Sequence, residues 1–425
     1  MSRAEAARAT AVRLAERLAD PREVAAVARR SQGDGFVTWT GFSLAGGHAG
    51  VALALAGFGD AYLPAARAHV SAAAGELRSH GAYGSGLYEG LAGLGYAAAA
   101  IARRPGDCAR VLATCTADAV SMARERAAVL GKQDDERTFL HYDVIEGLSG
   151  LARFLLARDG ADGPETVAAV TGLARFLCPP VPRADGLPPW LVGGNPALLD
   201  GGHDPGENRL LDLGMAHGVA GAMSMLAVAK LEGVRVPRLD EAIGTAATWL
   251  AGWRGRAATD GWPTAVWPSE EAAGHSAMLD RMAWCYGTPG VAAALCVAGR
   301  ALGRDELGAL GRQALVRACD SLAAKAVTDM GICHGWAGIA AILMSLRDGG
   351  PSPEIEARLD GVIDRIVAHQ DDELPFLYRY PHAPASPDVD DATFLTGAAG
   401  TAAILYAYSQ GGMSSTPWRD VLMLG

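Results

Sequence analysis

The amino-acid sequence predicts an all-α fold, an α/α toroid of seven helical hairpins with a proline- and glycine-rich insertion. Glycine is unusually frequent, at 54 of 425 residues, and shows no collagen-like triplet repeat. Instead, a Gly-x-x-Gly pair followed by an apolar, alanine-rich run occurs seven times, and amphipathic segments separate these runs. The glycines therefore predict fixed backbone positions in a repeated helical architecture rather than low complexity.

Each glycine pair marks the start of one predicted inner helix. The first glycines of the seven pairs are Gly47, Gly90, Gly147, Gly218, Gly287, Gly335 and Gly397. Successive first glycines lie 43 to 71 residues apart, which is room for two helices and their connections. A glycine that only capped a helix end would follow the apolar run, whereas these precede it. Small residues at these starts let neighbouring backbones crowd together, as a closed ring of helices requires.

The segments between the glycine runs predict the outer helices. Residues 164–178, 239–253 and 353–369 are amphipathic, whereas the runs after the glycines carry little charge and predict helices buried on nearly all sides. Each repeat therefore consists of an inner and an outer helix. We expect residues 1–425 to form a single α/α toroid domain.

Two proline-rich stretches interrupt the pattern. Residues 178–213 contain seven prolines and many glycines, which predicts an insertion on the toroid and a candidate small extra lobe. Residues 370–389 contain four prolines together with Phe376, Tyr378 and Tyr380, which predicts a rim loop rather than a helix. A lid or peptide-contacting loop and a plain connection are the two open interpretations of this second stretch.

The composition excludes several functional classes. The formal charge is −10, from 37 Lys and Arg against 47 Asp and Glu, so the chain lacks the excess of positive charge that is typical of nucleic-acid-binding proteins. No apolar run reaches the roughly 18 residues of a membrane span, and the first residues lack the apolar core of a secretory signal. Seven cysteines, an odd number, favour metal binding or catalysis over a disulfide framework. We expect a cytoplasmic protein without a transmembrane segment.

Alignment of the repeats on their first glycines brings reactive residue types to one level. The residues directly before the glycines are Gly46, Glu89, Glu146, His217, Tyr286, His334 and Thr396. A packed helical core has no reason to collect Glu, His and Tyr at one level, so we expect this level to line one mouth of a central cavity. His48, Glu89 and Glu146 are candidates for supporting roles there, and helix capping is the alternative for each.

The same alignment predicts a metal site. Cys285 and Cys333 lie two residues before the first glycines of neighbouring repeats, and His334 follows Cys333 directly. Two thiolates and one imidazole suit zinc, with a fourth position open to water or substrate, and an open position predicts catalysis. The spacing of the two cysteines matches no short zinc motif, so burial as core cysteines is the alternative.

Three further residues are candidates for acid–base or electrostatic roles. His217 lies at the mouth level one repeat from the predicted metal, where it could give or take a proton; a hydrogen-bonded structural role is the alternative. Asp143, four residues before Gly147, could orient His217 or cap the helix. Arg281, four residues before Cys285, could point into the mouth or pair at the surface.

Four motifs resemble those of the lanthionine synthetase C-like cyclases. They are WCYGTPG at 284–290, CHGWAG at 333–338, MAHGVAG at 215–221 and YDVIEGLSG at 142–150. The resemblance covers nearly the whole chain, because all seven glycine repeats are present, and it implies an α/α toroid with one bound Zn²⁺. The residues that it assigns to the site are the zinc ligands Cys285, Cys333 and His334, the acid–base pair His217 and Asp143, and Arg281 and Tyr286.

The resemblance also implies a reaction and its partners. A cysteine thiol of a dehydrated precursor peptide adds to dehydroalanine or dehydrobutyrine and closes a lanthionine or methyllanthionine thioether ring. Zinc coordination would deprotonate a thiol that is otherwise mostly protonated at neutral pH. The implied partners are the precursor peptide with its leader and a dehydratase enzyme.

The sequence alone leaves three rival functions open. A related protein that adds glutathione or another small thiol to dehydrated residues would share the zinc site. Carbohydrate hydrolysis would use two carboxylates across the cavity, for instance Glu89 and Glu146, and would leave Cys285, Cys333 and His334 without a role. A scaffold without catalysis would have no need for intact metal-binding residues.

Overall fold

The computed structural model describes residues 1–31, 39–82, 84–132, 137–193, 208–321, 324, 326–347, 350, 352–381, 388–414 and 416–425. The α-helices of these residues are α1 (Arg3–Arg17), α2 (Pro21–Ser31), α3 (His48–Ala56), α4 (Leu63–His80), α5 (Leu91–Ile101), α6 (Ala109–Leu130), α7 (Leu148–Asp159), α8 (Pro164–Leu177), α9 (Val219–Leu231), α10 (Leu239–Gly252), α11 (Pro268–Ala273), α12 (Thr288–Leu302), α13 (Asp305–Cys319), α14 (Trp336–Arg347), α15 (Pro353–Ala368) and α16 (Ala398–Ser409). The predicted all-α class is confirmed. Among the described residues, no helix is both long and apolar enough to cross a membrane.

The described residues fall into two compact units. One comprises Met1–Asp118 with Ala326–Leu422, and the other comprises Ala119–Lys325 with Met423–Gly425. The first unit contains α1 to α5 and α14 to α16, and the second contains α7 to α13. A single catalytic domain over residues 1–425 stays a prediction.

Seven helices begin at the residue directly after a predicted first glycine, as the repeats predict. They are α3, α5, α14 and α16 in the first unit and α7, α9 and α12 in the second. Their residues are buried on nearly all sides; in α9, for example, every residue from Val219 to Ala229 is buried. These are the predicted inner helices.

The glycine pairs are required because the chain folds back tightly over each helix start. A Cβ atom on Gly221 would lie within 3.0 Å of the carbonyl oxygen of Met215, six residues earlier. The second glycines Gly50 and Gly400 meet the same obstacle, and a Cβ on Gly218 would meet the backbone of its own turn. Real Cβ atoms do not approach backbone this closely, so sterics select glycine at both positions of the pair.

Amphipathic outer helices cover the inner helices. Five inner helices pack against the helix that follows them in the chain, in the pairs α3 with α4, α7 with α8, α9 with α10, α12 with α13, and α14 with α15. The last inner helix, α16, packs against α1 from the start of the chain. Arg3 of α1 also pairs with Asp364 of α15, with its Nε 2.7 Å from Oδ1. The seventh hairpin is therefore completed by a helix from the other end of the chain.

Backbone hydrogen bonds join neighbouring repeats at one level within each unit. In the second unit, the N–H groups of Met215 and Ala216 donate to the carbonyl of Cys285 at 2.8 and 3.2 Å. In the first unit, the N–H groups of Ile332 and Cys333 donate to the carbonyl of Leu395 at 2.8 and 2.7 Å. The same pattern joins Phe394 and Leu395 to Ala45, and Leu44 and Ala45 to Tyr88. The acceptor is always the residue two before a first glycine, which is the register that the alignment of repeats assumes.

The proline-rich stretches contain few helical residues where they are described. Strands β1 (Val192–Gly193), β2 (Arg209–Asp212) and β3 (Ala265–Val266) form a small antiparallel sheet in the order β1-β2-β3. Residues 194–207 of the predicted insertion and 382–387 of the predicted rim loop lie outside the described residues. In the rim loop, Phe376, Tyr378 and Tyr380 are buried, which favours a packed connection over a loop that presents these rings to a peptide.

Candidate metal centre and acid–base site

Cys285 lies in the turn that leads into α12, in the second unit. Its carbonyl accepts the two N–H groups from the preceding repeat, and its side chain is buried. Gly287, two residues later, has a φ of +88°, and a Cβ there would lie within 3.0 Å of the backbone of Arg281. The turn is therefore held tightly in one conformation, which fixes the position of the Cys285 backbone from which the side chain extends.

Cys333 and His334 lie in the equivalent turn before α14, in the first unit. The N–H of Cys333 donates to the carbonyl of Leu395, while the side chain of His334 is 44% exposed. Nε2 of His334 lies 2.8 Å from Oδ2 of Asp329, whose carboxylate is buried. The imidazole thus lies beside a buried carboxylate and is still open to solvent on one side.

Cys285, Cys333 and His334 form a group that could hold a metal ion. The ligand atoms that they offer are two sulfurs and one imidazole nitrogen. Two soft thiolates and one imidazole match zinc, whose catalytic sites use three protein ligands and keep a fourth position open. The donor set fits the predicted ion, and the exposure of His334 is compatible with access to a fourth position.

Asp143 and His217 form a hydrogen-bonded pair in the second unit. Oδ2 of Asp143 lies 2.6 Å from Nδ1 of His217, and the Asp143 side chain is fully buried. Oδ1 of Asp143 accepts the N–H groups of Glu146 and Gly147 at 2.8 and 2.6 Å. The two roles that the sequence leaves open for Asp143 therefore coexist, because one oxygen caps the turn and the other holds the histidine.

The surroundings of His217 favour its protonated form. Burial by itself lowers the pKa of the ring, but the hydrogen bond that the ring donates to Asp143 and the charges of Asp143, Asp212 and Cys285 together raise the pKa above its ordinary value. The ring lies against Phe139, at 5.1 Å between centroids, and near Tyr286, at 6.3 Å. Because a carboxylate only accepts hydrogen bonds, Nδ1 carries a proton and Nε2 is the nitrogen left to exchange one.

Tyr286 is anchored by a residue that the sequence analysis missed. Its hydroxyl donates to Oδ2 of Asp212 at 3.1 Å, while Oδ1 of Asp212 accepts the N–H of Gly214 at 2.7 Å. Complete burial raises the pKa of Asp212 to about 6, against the opposing effects of His217, Gly214 and Tyr286. Asp212 lies six residues before Gly218, and two other repeats carry Asp at this position, which is the signal that could have found it.

The remaining candidates lie in different settings. Arg281 is exposed and begins the turn that contains Cys285. Burial raises the pKa of Glu89, and Glu146 is half-buried beside Asp143. The ring of His48 is buried, and its Nδ1 lies 2.9 Å from Nδ1 of His69 in α4, so its supporting role at the mouth stays a prediction.

Comparison with known proteins agrees with this fold. The profile of the family described as "Lanthionine synthetase C-like protein" matches residues 38–423. The solved structure of nisin cyclase matches with a TM-score of 0.75 and 20% sequence identity, over 95% of this chain and 96% of that one. This likeness confirms the predicted α/α toroid. A comparison with curated protein sequences found no match. Since the family profile spans most of its length, the chain belongs to the lanthionine synthetase C-like family.

Proposed function

We propose that this protein is a lanthipeptide cyclase, a zinc-dependent enzyme that closes thioether rings in a dehydrated precursor peptide. The observation that carries the proposal is the group of two thiols and one imidazole in a member of this family. In the proposed reaction, the sulfur of a peptide cysteine bonds to Cβ of dehydroalanine or dehydrobutyrine. The π electrons move to Cα and its carbonyl, and the proton lost by the thiol is balanced by one gained at Cα.

Cys285, Cys333 and His334 are the residues that would hold the zinc ion. When bound, zinc would lower the pKa of a substrate thiol and present it as a nucleophile at neutral pH. Two anionic sulfur ligands from the protein favour a nucleophilic substrate sulfur over strong Lewis acidity. The three residues therefore fit thiol chemistry better than activation of a carbonyl group.

His217 is the proposed acid that protonates Cα. Its Nδ1–H donates to Asp143, which fixes the tautomer and leaves Nε2 for the proton transfer. The pKa of His217 is raised, so a larger fraction of the ring carries the second proton near neutral pH. The pair can therefore supply a proton to a carbanion-like centre and recover it from the solvent or from the substrate thiol.

Arg281 and Tyr286 are proposed to act on the enolate oxygen and on its surroundings. Arg281 is exposed in the turn of Cys285, where its guanidinium could reach a peptide carbonyl. The hydroxyl of Tyr286 is committed as a donor to Asp212, so we assign Tyr286 the shaping of the pocket wall beside His217 rather than proton donation.

The proposed substrate is a dehydrated precursor peptide with its leader, and a dehydratase is the proposed partner enzyme. The seven cysteines, all of which lie in the described part of the chain, form no disulfide bond, which suits a reducing compartment, and we place the reaction in the cytoplasm. Addition of glutathione or another small thiol is the alternative reaction, and the experiment below distinguishes the two.

The decisive experiment incubates the protein with a dehydrated precursor peptide, followed by thiol alkylation and mass spectrometry. Ring closure conserves the mass of the peptide and removes its alkylatable thiols, so we expect loss of alkylation without a mass change. A parallel incubation with glutathione tests the alternative, because addition of a small thiol raises the peptide mass. Full alkylation after incubation with the zinc-loaded protein would contradict the proposed function.

A further inference from the structure

Three buried aspartates occupy the same position in three repeats. They are Asp212, Asp329 and Asp391, each six residues before a first glycine, and their exposures are 0%, 3% and 1%. In each of them Oδ1 accepts the N–H group two residues later, with Gly214, Gly331 and Thr393 as the donors, all at 2.7 Å. One oxygen of each carboxylate is therefore used to hold the turn before an inner helix.

The second oxygen of each aspartate faces a residue that directly precedes a first glycine. Oδ2 of Asp212 accepts the hydroxyl of Tyr286 at 3.1 Å, and Oδ2 of Asp391 accepts the hydroxyl of Thr396 at 2.6 Å. Oδ2 of Asp329 lies 2.8 Å from Nε2 of His334. The same turn thus places a carboxylate oxygen beside a different side chain in each of the three cases.

Asp329 differs from the other two aspartates in the hydrogen bonding of its second oxygen. Its Oδ2 is buried, and no described residue gives it a well-aligned hydrogen bond. A buried carboxylate oxygen without a hydrogen-bond donor destabilises the folded state. The imidazole nitrogen 2.8 Å away can act as that donor if it carries a proton. With Nε2 turned toward Asp329, Nδ1 of His334 is the nitrogen left for a metal ion.

We propose that Asp329 is a positioning residue that holds His334 with Nε2 protonated and Nδ1 directed at the metal. This inference rests on the metal group of the proposed function. A metal-bound histidine commonly donates its other N–H to a carboxylate, which fixes the ring and raises the basicity of the ligand nitrogen. Because Oδ1 is anchored by Gly331, the carboxylate is held in place before any metal binds.

The test compares Asp329→Asn with Asp391→Asn in the full-length chain. Asparagine keeps the size of the side chain and an oxygen for the turn N–H, and Asp391 matches Asp329 in register, burial and turn bond. Zn²⁺ affinity is measured by competition with a chromophoric chelator, and thermal unfolding reports on folding. We expect Asp329→Asn to bind Zn²⁺ about 10- to 100-fold more weakly, and Asp391→Asn to bind it as the wild type does.

Two results would overturn the inference while leaving the proposed function intact. One is wild-type Zn²⁺ affinity in a folded Asp329→Asn protein, and the other is equal weakening in both variants, which would indicate a general effect of the turn. Absence of stoichiometric Zn²⁺ binding by the wild-type protein would instead overturn the proposed function together with the inference.

A second measurement needs no variant and covers the case in which Asp329→Asn does not fold. Wild-type protein labelled with ¹⁵N-histidine and loaded with ¹¹³Cd²⁺ reports which ring nitrogen of His334 binds the metal. Coupling of ¹¹³Cd to Nδ1, with a protonated Nε2, is the expected result. Coupling to Nε2 would refute the proposed orientation.

Discussion

Oδ2 of Asp143 lies 2.6 Å from Nδ1 of His217, while Oδ1 of the same carboxylate holds the turn before α7. The aspartate is therefore fixed by the backbone and in turn fixes the imidazole. An asparagine at position 143 would remove the charge and still accept the N–H groups of the turn. The structural role and the electrostatic role of Asp143 can therefore be tested separately.

Removal of the imidazole tests its role in proton transfer. We expect His217→Ala to retain Zn²⁺ and to close rings about 10²- to 10⁴-fold more slowly, because a positioned general acid contributes that much. His275→Ala, which removes an exposed histidine, serves as the control. Rates are followed by thiol alkylation and mass spectrometry. An unchanged rate would make His217 a structural residue.

Neutralisation of Asp143 tests the electrostatic part of the pair. Asn keeps an oxygen for the N–H groups of Glu146 and Gly147 but removes the negative charge that raises the pKa of His217. We expect the pKa of His217 to fall in Asp143→Asn, because burial lowers this pKa and the charge of Asp143, which raises it in the wild type, is then absent. An NMR titration of the histidine signals measures the pKa directly. A pKa equal to or above that of the wild type contradicts the assignment.

Loss of either thiol tests the metal group. We expect Cys285→Ala and Cys333→Ala to lose stoichiometric Zn²⁺, because two ligands leave a weak site. Cys296→Ala is the matched control, since Cys296 is 7% exposed and Cys285 is 8% exposed. Elemental analysis of the purified proteins gives the stoichiometry. Full zinc content in both ligand variants would remove these residues from the site.

The glycine pairs yield a prediction about stability. We expect Gly221→Ala to lower the free energy of unfolding by about 3 kcal/mol, because the new Cβ would collide with the carbonyl of Met215. Gly361 is exposed within α15, and a Cβ there meets no atom within 4 Å. Gly361→Ala should therefore raise stability by about 0.5–1 kcal/mol. Chemical denaturation measures both. Equal effects of the two variants would contradict the steric explanation.

The pair of His48 and His69 predicts a loss of stability in mild acid. Burial lowers the pKa of His48 to about 3 and that of His69 to about 4, so both rings are neutral in the folded chain. Below about pH 6.5 the unfolded chain binds protons that the folded chain does not. Stability is therefore fully present above that pH and falls as the pH drops toward 4, by up to about 1.4 kcal/mol per unit for each ring.

Denaturation curves between pH 7.5 and pH 5 measure this slope. We expect His48→Gln to reduce the slope, because one of the two neutral rings is removed. His80→Gln, which replaces a largely exposed histidine, should leave the slope unchanged. A wild-type stability that is independent of pH over this range would contradict the assignment of two neutral buried rings.

The starts of the inner helices and the identity of the candidate ligands followed from the sequence alone. A glycine pair is a local steric requirement: a Cβ on Gly221 meets the carbonyl of Met215 in its own turn, whatever the rest of the chain does. The glycine pair recurs seven times in the sequence, and it places Cys285 and Cys333 at one register position without any knowledge of the fold.

The partners of the buried polar groups did not follow from the sequence. Asp329 and Asp391 carry no sign of which side chain their second oxygen holds, and nothing local pairs His48 with His69 across two helices. In the same way, the outer partner of α16 is α1, from the opposite end of the chain. Such contacts depend on how helices pack, and packing is a property of the whole chain.

The sequence by itself therefore determined the repeat, the helix starts, the residues directly before them and the candidate ligands, because backbone sterics act over a few residues. Only the tertiary structure decided that Asp143 both caps a turn and holds His217, and that Asp212 anchors Tyr286. The physical reason is that a buried carboxylate must find donors for both of its oxygens, and folding brings the second donor from another part of the chain.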